Sequence, residues 1–264
     1  MALTRDKSPS KRKEYSAPAL EKGLDIIELL SHELDGLTSG EISQRLSRPM
    51  GQLFRMLVVL QQRGYVAYEP NSERYELTLK LFTLSHNLAP VRRLNLVAAP
   101  LLKMLADHIG QSCHLVIYYA GNGHVVVQQD SPSERVITVR LGAVASLADT
   151  CSGHVLLAFA NEAARTEMLD RIPKTQPVPP GPKLARLIKR IRKNGFERKP
   201  SAQIQGVQDI GYPVFDHNGQ IAAALVVPFV EFLDGSHPMP IDLAQKSIGE
   251  TAAAISQKLG YRGS

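Results

Sequence analysis

Two short helical stretches joined by only three residues constrain this chain most. Thr38 followed by Glu41 is a capping box, in which a Thr hydroxyl and a Glu carboxylate reciprocally satisfy orphan amides at a helix start. The helix it opens runs to about Leu46. Ser47, Arg48 and Pro49 then supply a tight turn, with Pro pre-set for a first helical position. Leu53, Met56, Leu57 and Leu60 resume helical spacing as far as Gly64. An earlier helix is predicted over residues 19–30, with Leu20, Leu24, Ile27 and Leu30 on one face and Glu21, Lys22, Asp25 and Glu28 on the other. After Gly64, alternation over Tyr65–Tyr68 and Tyr75–Leu79 flanks a Pro-Asn-Ser-Glu turn, the pattern of a β-hairpin. Helix, helix, turn, helix, hairpin is a winged helix-turn-helix.

In such a unit the third helix enters the major groove of double-stranded DNA, and residues near its N-terminus read base edges. Here those are Met50, Gly51, Gln52, Phe54 and Arg55, with Thr38, Arg48 and the wing residue Arg74 completing the expected contact set. Gln52 can pair bidentately with adenine, Arg55 can take a guanine or a phosphate, and Arg74 can reach a phosphate or the minor groove. The formal net charge is +6, but its distribution says more. The stretch Arg45–Arg63 carries four arginines and no acid, whereas residues 14–44 carry Lys22 against seven acids. A winged helix that contacts protein, with its arginines solvated, would not require that segregation.

The 264 residues suit two domains. Residues 1–17, with Arg5, Lys7, Lys11, Arg12 and Lys13 against Asp6, read as a basic disordered arm. Residues 18–79 form the winged domain, 80–99 a linker helix, and 100–264 a second domain of mixed character. There, strand-like runs are predicted over 113–121, 124–130 and 135–142, then a helix over 151–160, a charged helix, and a Pro-rich loop over 173–182. Lys183–Asn194 is amphipathic, with a basic face that reads as solvated. Two strands bracket Asn218-Gly219, a type I′ hairpin signal, and a last helix runs from about Asp242 to Lys258. The fold class is α+β with a largely antiparallel sheet.

Several functions lack their signatures. The N-terminus has no apolar signal region, and the longest apolar stretches, Leu94–Leu105 and Ile221–Val230, are too short to span a bilayer. A cytoplasmic protein with no membrane partner is expected. Cys113 and Cys151 are too few and too far apart for a disulfide framework or a Cys-rich zinc site. P-loop, GxSxG, HExxH and GxGxxG runs are absent, so no cofactor and no catalytic residue is expected. Cys151 and His154 share a helical face and could pair as thiolate and imidazole, and Cys113, His114 and His124 could add metal ligands. No third ligand sits at a recognisable spacing, and Gly153 with Val155–Leu157 reads instead as a helix packed on a sheet.

The N-terminal run resembles the DNA-binding domain of the IclR family of bacterial transcriptional regulators. Where that family opens its reading helix with Leu-Pro-Lys-Ser-Thr-Val-His/Tyr-Arg-Leu-Leu, this chain has Arg48 to Leu57. Pro49 and Arg55 match, while Met50, Gly51 and Gln52 replace the Lys-Ser-Thr triplet. The second half is similar more diffusely: Thr150, Gly153, Leu157 and Ala158 match one family run, with His154 in place of its Lys. Gly206, Val207, Ile210, Pro213, Val214, Asp216, Gly219 and Ala223–Leu225 match another. The resemblance implies a GAF/PAS-like effector-binding domain behind the winged helix, and a homodimer or homotetramer on a near-palindromic operator, acting as repressor or activator.

Carried over by position, the resemblance implies an effector pocket lined by Leu141, Gly142, Ala143, Cys151, Ser152, Asp209, Val226 and Pro228. Family members that bind small carboxylates have hydrogen-bond donors at the positions of Asp209, Val226 and Pro228. Here an acid and two apolar residues stand there instead, which favours an apolar or aromatic effector with a hydroxyl or amine for Asp209. The same residues could alternatively just fill the core. The function expected is a ligand-responsive transcriptional regulator; the alternative is a small-molecule sensor or enzyme that uses its winged helix for protein contacts.

Overall fold

The computed structural model describes residues 17–86, 89–232, 234–235 and 239–263. They form two compact units that part between residues 88 and 89, within the stretch expected to be a linker helix. The expected basic arm lies outside the described residues except for Ala17, which caps the first helix.

In the first unit, α1 (Pro18–Leu30) starts on a Pro in its first turn. Its buried residues are Ile26 and Leu30, which join Ile42, Leu53, Leu57 and Val66 in one core. Leu20 and Leu24, expected on the inward face, are 64% and 47% exposed, so burial is confined to the last two turns. Helix α2 (Ser39–Arg45) carries the capping box: the Thr38 amide donates to Glu41 Oε2 at 2.8 Å and the Glu41 amide to Thr38 Oγ1 at 3.3 Å. Before α3 (Met50–Gln62), Ser47 takes a left-handed φ of 51°, and the Ser43 hydroxyl donates to the Arg48 carbonyl at 2.7 Å, closing the turn. A strand that the sequence did not suggest, β1 (Leu37–Thr38), pairs with β3 (Arg74–Leu77), which pairs with β2 (Val66–Glu69). Gly36 leads into β1 at φ 64°, where a Cβ would lie 2.6 Å from the Tyr75 carbonyl oxygen. Helix α4 (Lys80–His86) ends the unit.

The second unit opens with α5 (Ala89–Ile109) and is built on a six-stranded antiparallel sheet. Its strands are β4 (Cys113–Tyr119), β5 (Asn122–Gln129), β6 (Val144–Ala145), β7 (Glu197–Pro200), β8 (Val207–Phe215) and β9 (Ile221–Val230), in the order β6-β5-β4-β9-β8-β7. Strand periodicity divides the burial between two faces. Ala223, Leu225, Val227 and Phe229 of β9 pack with α5 and α9 (Ile241–Lys258), whereas Ala224 and Val226 pack with Val155 and Leu156 of α6 (Cys151–Phe159). Helices α7 (Glu162–Asp170) and α8 (Gly181–Asn194) add Met168 and Leu184 to that second layer.

Two local expectations are corrected, and one strand is added. Residues 135–140 form no strand, because β6 at Val144–Ala145 takes the place beside β5; Ile137 and Val139 turn into a cavity instead. Strand β7, which the sequence did not suggest, occupies the far edge of the sheet although Glu-Arg-Lys-Pro carries no apolar alternation: Arg198 and Pro200 are exposed, while Glu197 is buried against His154. The β8–β9 turn is not type I′, since Asn218 has no positive φ. The loop is closed by the Asp216 carboxylate, which accepts from the Asn218 and Gln220 amides, with Gly219 left-handed at φ 72°.

Candidate functional site

In the first unit the site is the outer face of α3. Leu53 and Leu57, four residues apart, are buried in the core, which turns Gly51, Gln52, Phe54 and Arg55 to solvent. Phe54 is 55% exposed, a large apolar surface to leave in water. Met50 packs partly against the core. No side chain caps the start of α3. Orphan amides at such a start suit a phosphate.

The remaining residues expected to touch DNA are held by the fold. Thr38 is committed to the α2 cap. Arg48 pairs with Asp25 at 2.9 Å. Arg74 donates to the Gly36 carbonyl at 2.8 Å and lies 3.2 Å from Glu41 Oε2, tying β3 to α2. The two hydrogen bonds from Thr38, and then Arg74, hold the Glu41 carboxyl below its usual range. Near its turn the wing packs Tyr68 against Tyr75, with ring centroids 4.8 Å apart and the planes tilted by 44°.

In the second unit a cavity of about 70 Å³ opens between the sheet and the start of α6. Six of the eight residues expected there line it: Ala143, Cys151, Ser152, Asp209, Val226 and Pro228. Leu141 and Gly142 do not. They sit in a turn closed by the Ala143 amide on the Arg140 carbonyl at 3.0 Å, and Leu141 is 59% exposed. The sequence reading missed His114, Val125, Ile137 and Val139, and the wall formed by Ser201–Ile204. Strand parity could have found His114, which shares a face with Val116 and lies opposite Val226.

The α6 end of the cavity depends on close packing. Thr150 caps α6, its hydroxyl accepting from the Gly153 amide at 3.1 Å and donating to the Ser146 carbonyl at 2.6 Å. A Cβ on Gly153 would meet the Leu147 Cα at 2.4 Å, and one on Gly211 would meet Cys151 Sγ at 2.8 Å. Burial pushes the Cys151 thiol well above its ordinary value, and its Sγ faces the Glu197 carbonyl at 3.7 Å. Burial also raises the Asp209 carboxyl, opposed by a hydrogen bond from Ser201 and the charge of Lys199. His114 is 6% exposed and pushed down to about 4 by burial, which leaves a neutral imidazole.

Comparison with known proteins places both units. Residues 19–70 match the IclR helix-turn-helix domain, and residues 88–256 match the C-terminal domain of the bacterial transcriptional regulator IclR. The chain belongs to the IclR family. The IclR-family regulator XynR of Escherichia coli strain K12 is 24% identical to it over 249 residues, 92% of this chain and 97% of XynR. The crystal structure of Thermotoga maritima IclR matches with a TM-score of 0.73 at 26% identity, covering 92% of this chain and 98% of that one. An IclR homolog from Microbacterium hydrocarbonoxydans, solved in complex with 4-hydroxybenzoate, shares the fold: its TM-score is 0.73 at 20% identity, with 91% and 98% covered.

As an IclR-family member the protein is a transcriptional regulator, not an enzyme, with a DNA-binding helix-turn-helix and a C-terminal effector-binding domain. The residues considered for catalysis are engaged structurally. His154 Nδ1 lies 2.8 Å from Glu197 Oε2 and its Nε2 lies 2.9 Å from the Ala148 carbonyl, while the neighbouring thiol is protonated. Among the described residues no three His, Cys, Asp or Glu side chains are grouped to hold a metal, and no helix is long and apolar enough to cross a membrane.

Proposed function

We propose that this regulator reads a near-palindromic operator through Gly51, Gln52, Phe54 and Arg55, as a homodimer or homotetramer in the cytoplasm, and senses a small apolar or aromatic effector. The observation that carries the reading is the outer face of α3, where Gln52 and Arg55 are exposed beside residues with no acid among them. Gln52 reads an adenine edge and Arg55 a guanine or a phosphate. Arg48 and Arg74 shape the unit that presents them and contribute to phosphate contacts. Residues 18–79 act as the reading domain, 80–99 as the connection and 100–264 as the sensor.

The effector occupies the cavity above Val226 and Pro228, its polar end toward Asp209. It works by binding one arrangement of paired reading heads better than another. A gel shift with the protein's own upstream region, at several salt concentrations, tests the reading. Gln52→Ala and Arg55→Ala should each cost about 1–3 kcal/mol of operator affinity, and Gln52→Ala should relax base preference. If neither variant changes affinity or preference, the reading face has been misassigned.

A further inference from the structure

The effector cavity holds one polar side chain whose chemistry the family pattern does not account for. His114 lines the cavity, is all but buried, and has no hydrogen-bond partner among the described residues. Its nitrogens are not among the sealed-off, unpaired polar atoms of the described residues, so the ring presents them to the cavity, where a ligand can take up its hydrogen-bonding capacity.

The sheet register locates this ring relative to Asp209. His114 of β4 lies opposite Val226 of β9, Val226 lies opposite Gly211 of β8, and Asp209 lies two residues along β8, opposite Pro228. All five share the α6 face of the sheet. Two strand spacings across and two residues along separate the Cα atoms of His114 and Asp209 by roughly 12 Å. Both side chains line the same cavity, with the apolar surface of Val226 and Pro228 between them. Strand side chains stand roughly perpendicular to the sheet, so their polar ends stay roughly that far apart, the span of a single six-membered ring with a hydroxyl at each end and a hydrogen bond of about 2.8 Å beyond each. A cavity of this size, open on one side, encloses only part of the ring.

We propose that the cavity takes an uncharged single-ring molecule with hydroxyl groups at opposite ends, one bound by His114 and the other by Asp209. The proposal rests on the reading of this cavity as the effector site. Each polar end suits a hydroxyl: a neutral imidazole both donates and accepts, and the Asp209 carboxyl accepts beyond its bond from Ser201. No Lys or Arg lines the cavity, and the charge of Lys199 already acts on Asp209, so an effector carboxylate would be buried beside an acid without a counter-charge of its own.

Calorimetric titration of the full chain with hydroquinone kept reduced, with phenol and with 4-hydroxybenzoate tests the proposal. Hydroquinone should bind about tenfold tighter than either of the others, the worth of one buried hydrogen bond. His114→Phe should reduce hydroquinone to the level of phenol, while His114→Asn, which keeps a hydrogen-bonding group, should retain part of the difference. Ala143→Trp, which fills the cavity, should abolish binding of all three. Equal affinities for hydroquinone and phenol, tighter binding of 4-hydroxybenzoate, or a hydroquinone preference that survives both His114 substitutions would overturn the inference while leaving the cavity as the site. Binding that survives Ala143→Trp would instead overturn the cavity reading itself. No binding by any probe to the folded wild-type chain would overturn the ligand class.

Discussion

His154 and Glu197 form a buried pair 2.8 Å apart, with side chains only 8% and 1% exposed, and so fasten the start of α6 to the edge strand β7. Arg190 of α8 reaches the second carboxylate oxygen of Glu197 at 3.0 Å, which brings a third element to the same acid. Removing His154 leaves the buried Glu197 only the half-exposed Arg190, and leaves the Ala148 carbonyl without its partner. His154→Leu should therefore destabilise the second unit by about 3 kcal/mol, read from urea denaturation. Adding Glu197→Met to His154→Leu should recover much of the loss, because an apolar pair of similar volume needs no desolvation. A double variant as unstable as the single one would show that the pair is not coupled.

Two glycines separate space from propensity. A Cβ on Gly153 meets Leu147 and Ser146 backbone atoms at 2.4 Å, whereas one on Gly51 meets nothing within 4 Å. Gly153→Ala should cost about 1–3 kcal/mol through overpacking. Gly51→Ala should stabilise the first unit by up to about 1 kcal/mol through helix propensity. Because Gly51 lies on the proposed reading face, the same change should weaken operator binding. Thermal melts and gel shifts on one protein preparation check both halves.

Acid sensitivity should trace to His114. Its folded pKa of about 4 lies below the ordinary 6.5, so over that interval the unfolded chain binds the proton first. Stability is then complete above pH 6.5 and is lost as pH falls toward 4, by about 3 kcal/mol for a shift of this size. His114→Gln should flatten the stability profile between those limits. Urea midpoints measured across that range provide the readout, and an unchanged slope would assign the acid limb elsewhere.

Arg74 and Arg55 should part in their effects. Arg74 holds the Gly36 carbonyl and the Glu41 carboxylate, so Arg74→Ala should lower the stability of the first unit by about 1 kcal/mol. Arg55 is exposed on α3, and Arg55→Ala should leave stability within about 0.5 kcal/mol while reducing the salt slope of DNA binding by about 1. Equal destabilisation by both would contradict the contacts of Arg74.

Where the chain signals itself locally, the sequence was a good guide. Thr38 and Glu41 predicted the start of α2, Pro49 the start of α3, though as its N-cap and not its first helical residue, and the apolar run after Asn218-Gly219 the central strand. Features set by distant partners were less legible. Leu20 and Leu24 have helical spacing but no core beneath them, and β7 exists because β8 offers it an edge rather than because of its own residues. The role of Arg74 depends on a carbonyl 38 residues away, and nothing near position 74 announces it. For the cavity, family positions pointed to Asp209 and Val226 but not to His114, whose place follows from the β4–β9 register.

The alternation of β9 reaches beyond packing. Leu225 and Val227 anchor the layer under α5 and α9, while Val226 and Pro228 floor the cavity. Neighbouring residues in this strand therefore answer to different demands: Leu225 and Val227 serve the core alone, whereas Val226 both packs on α6 and floors the cavity, and Pro228 lines the cavity. If the proposed effector site is right, what the protein senses could be altered at Pro228 at the end of one strand face, with the layer under α5 and α9 left intact.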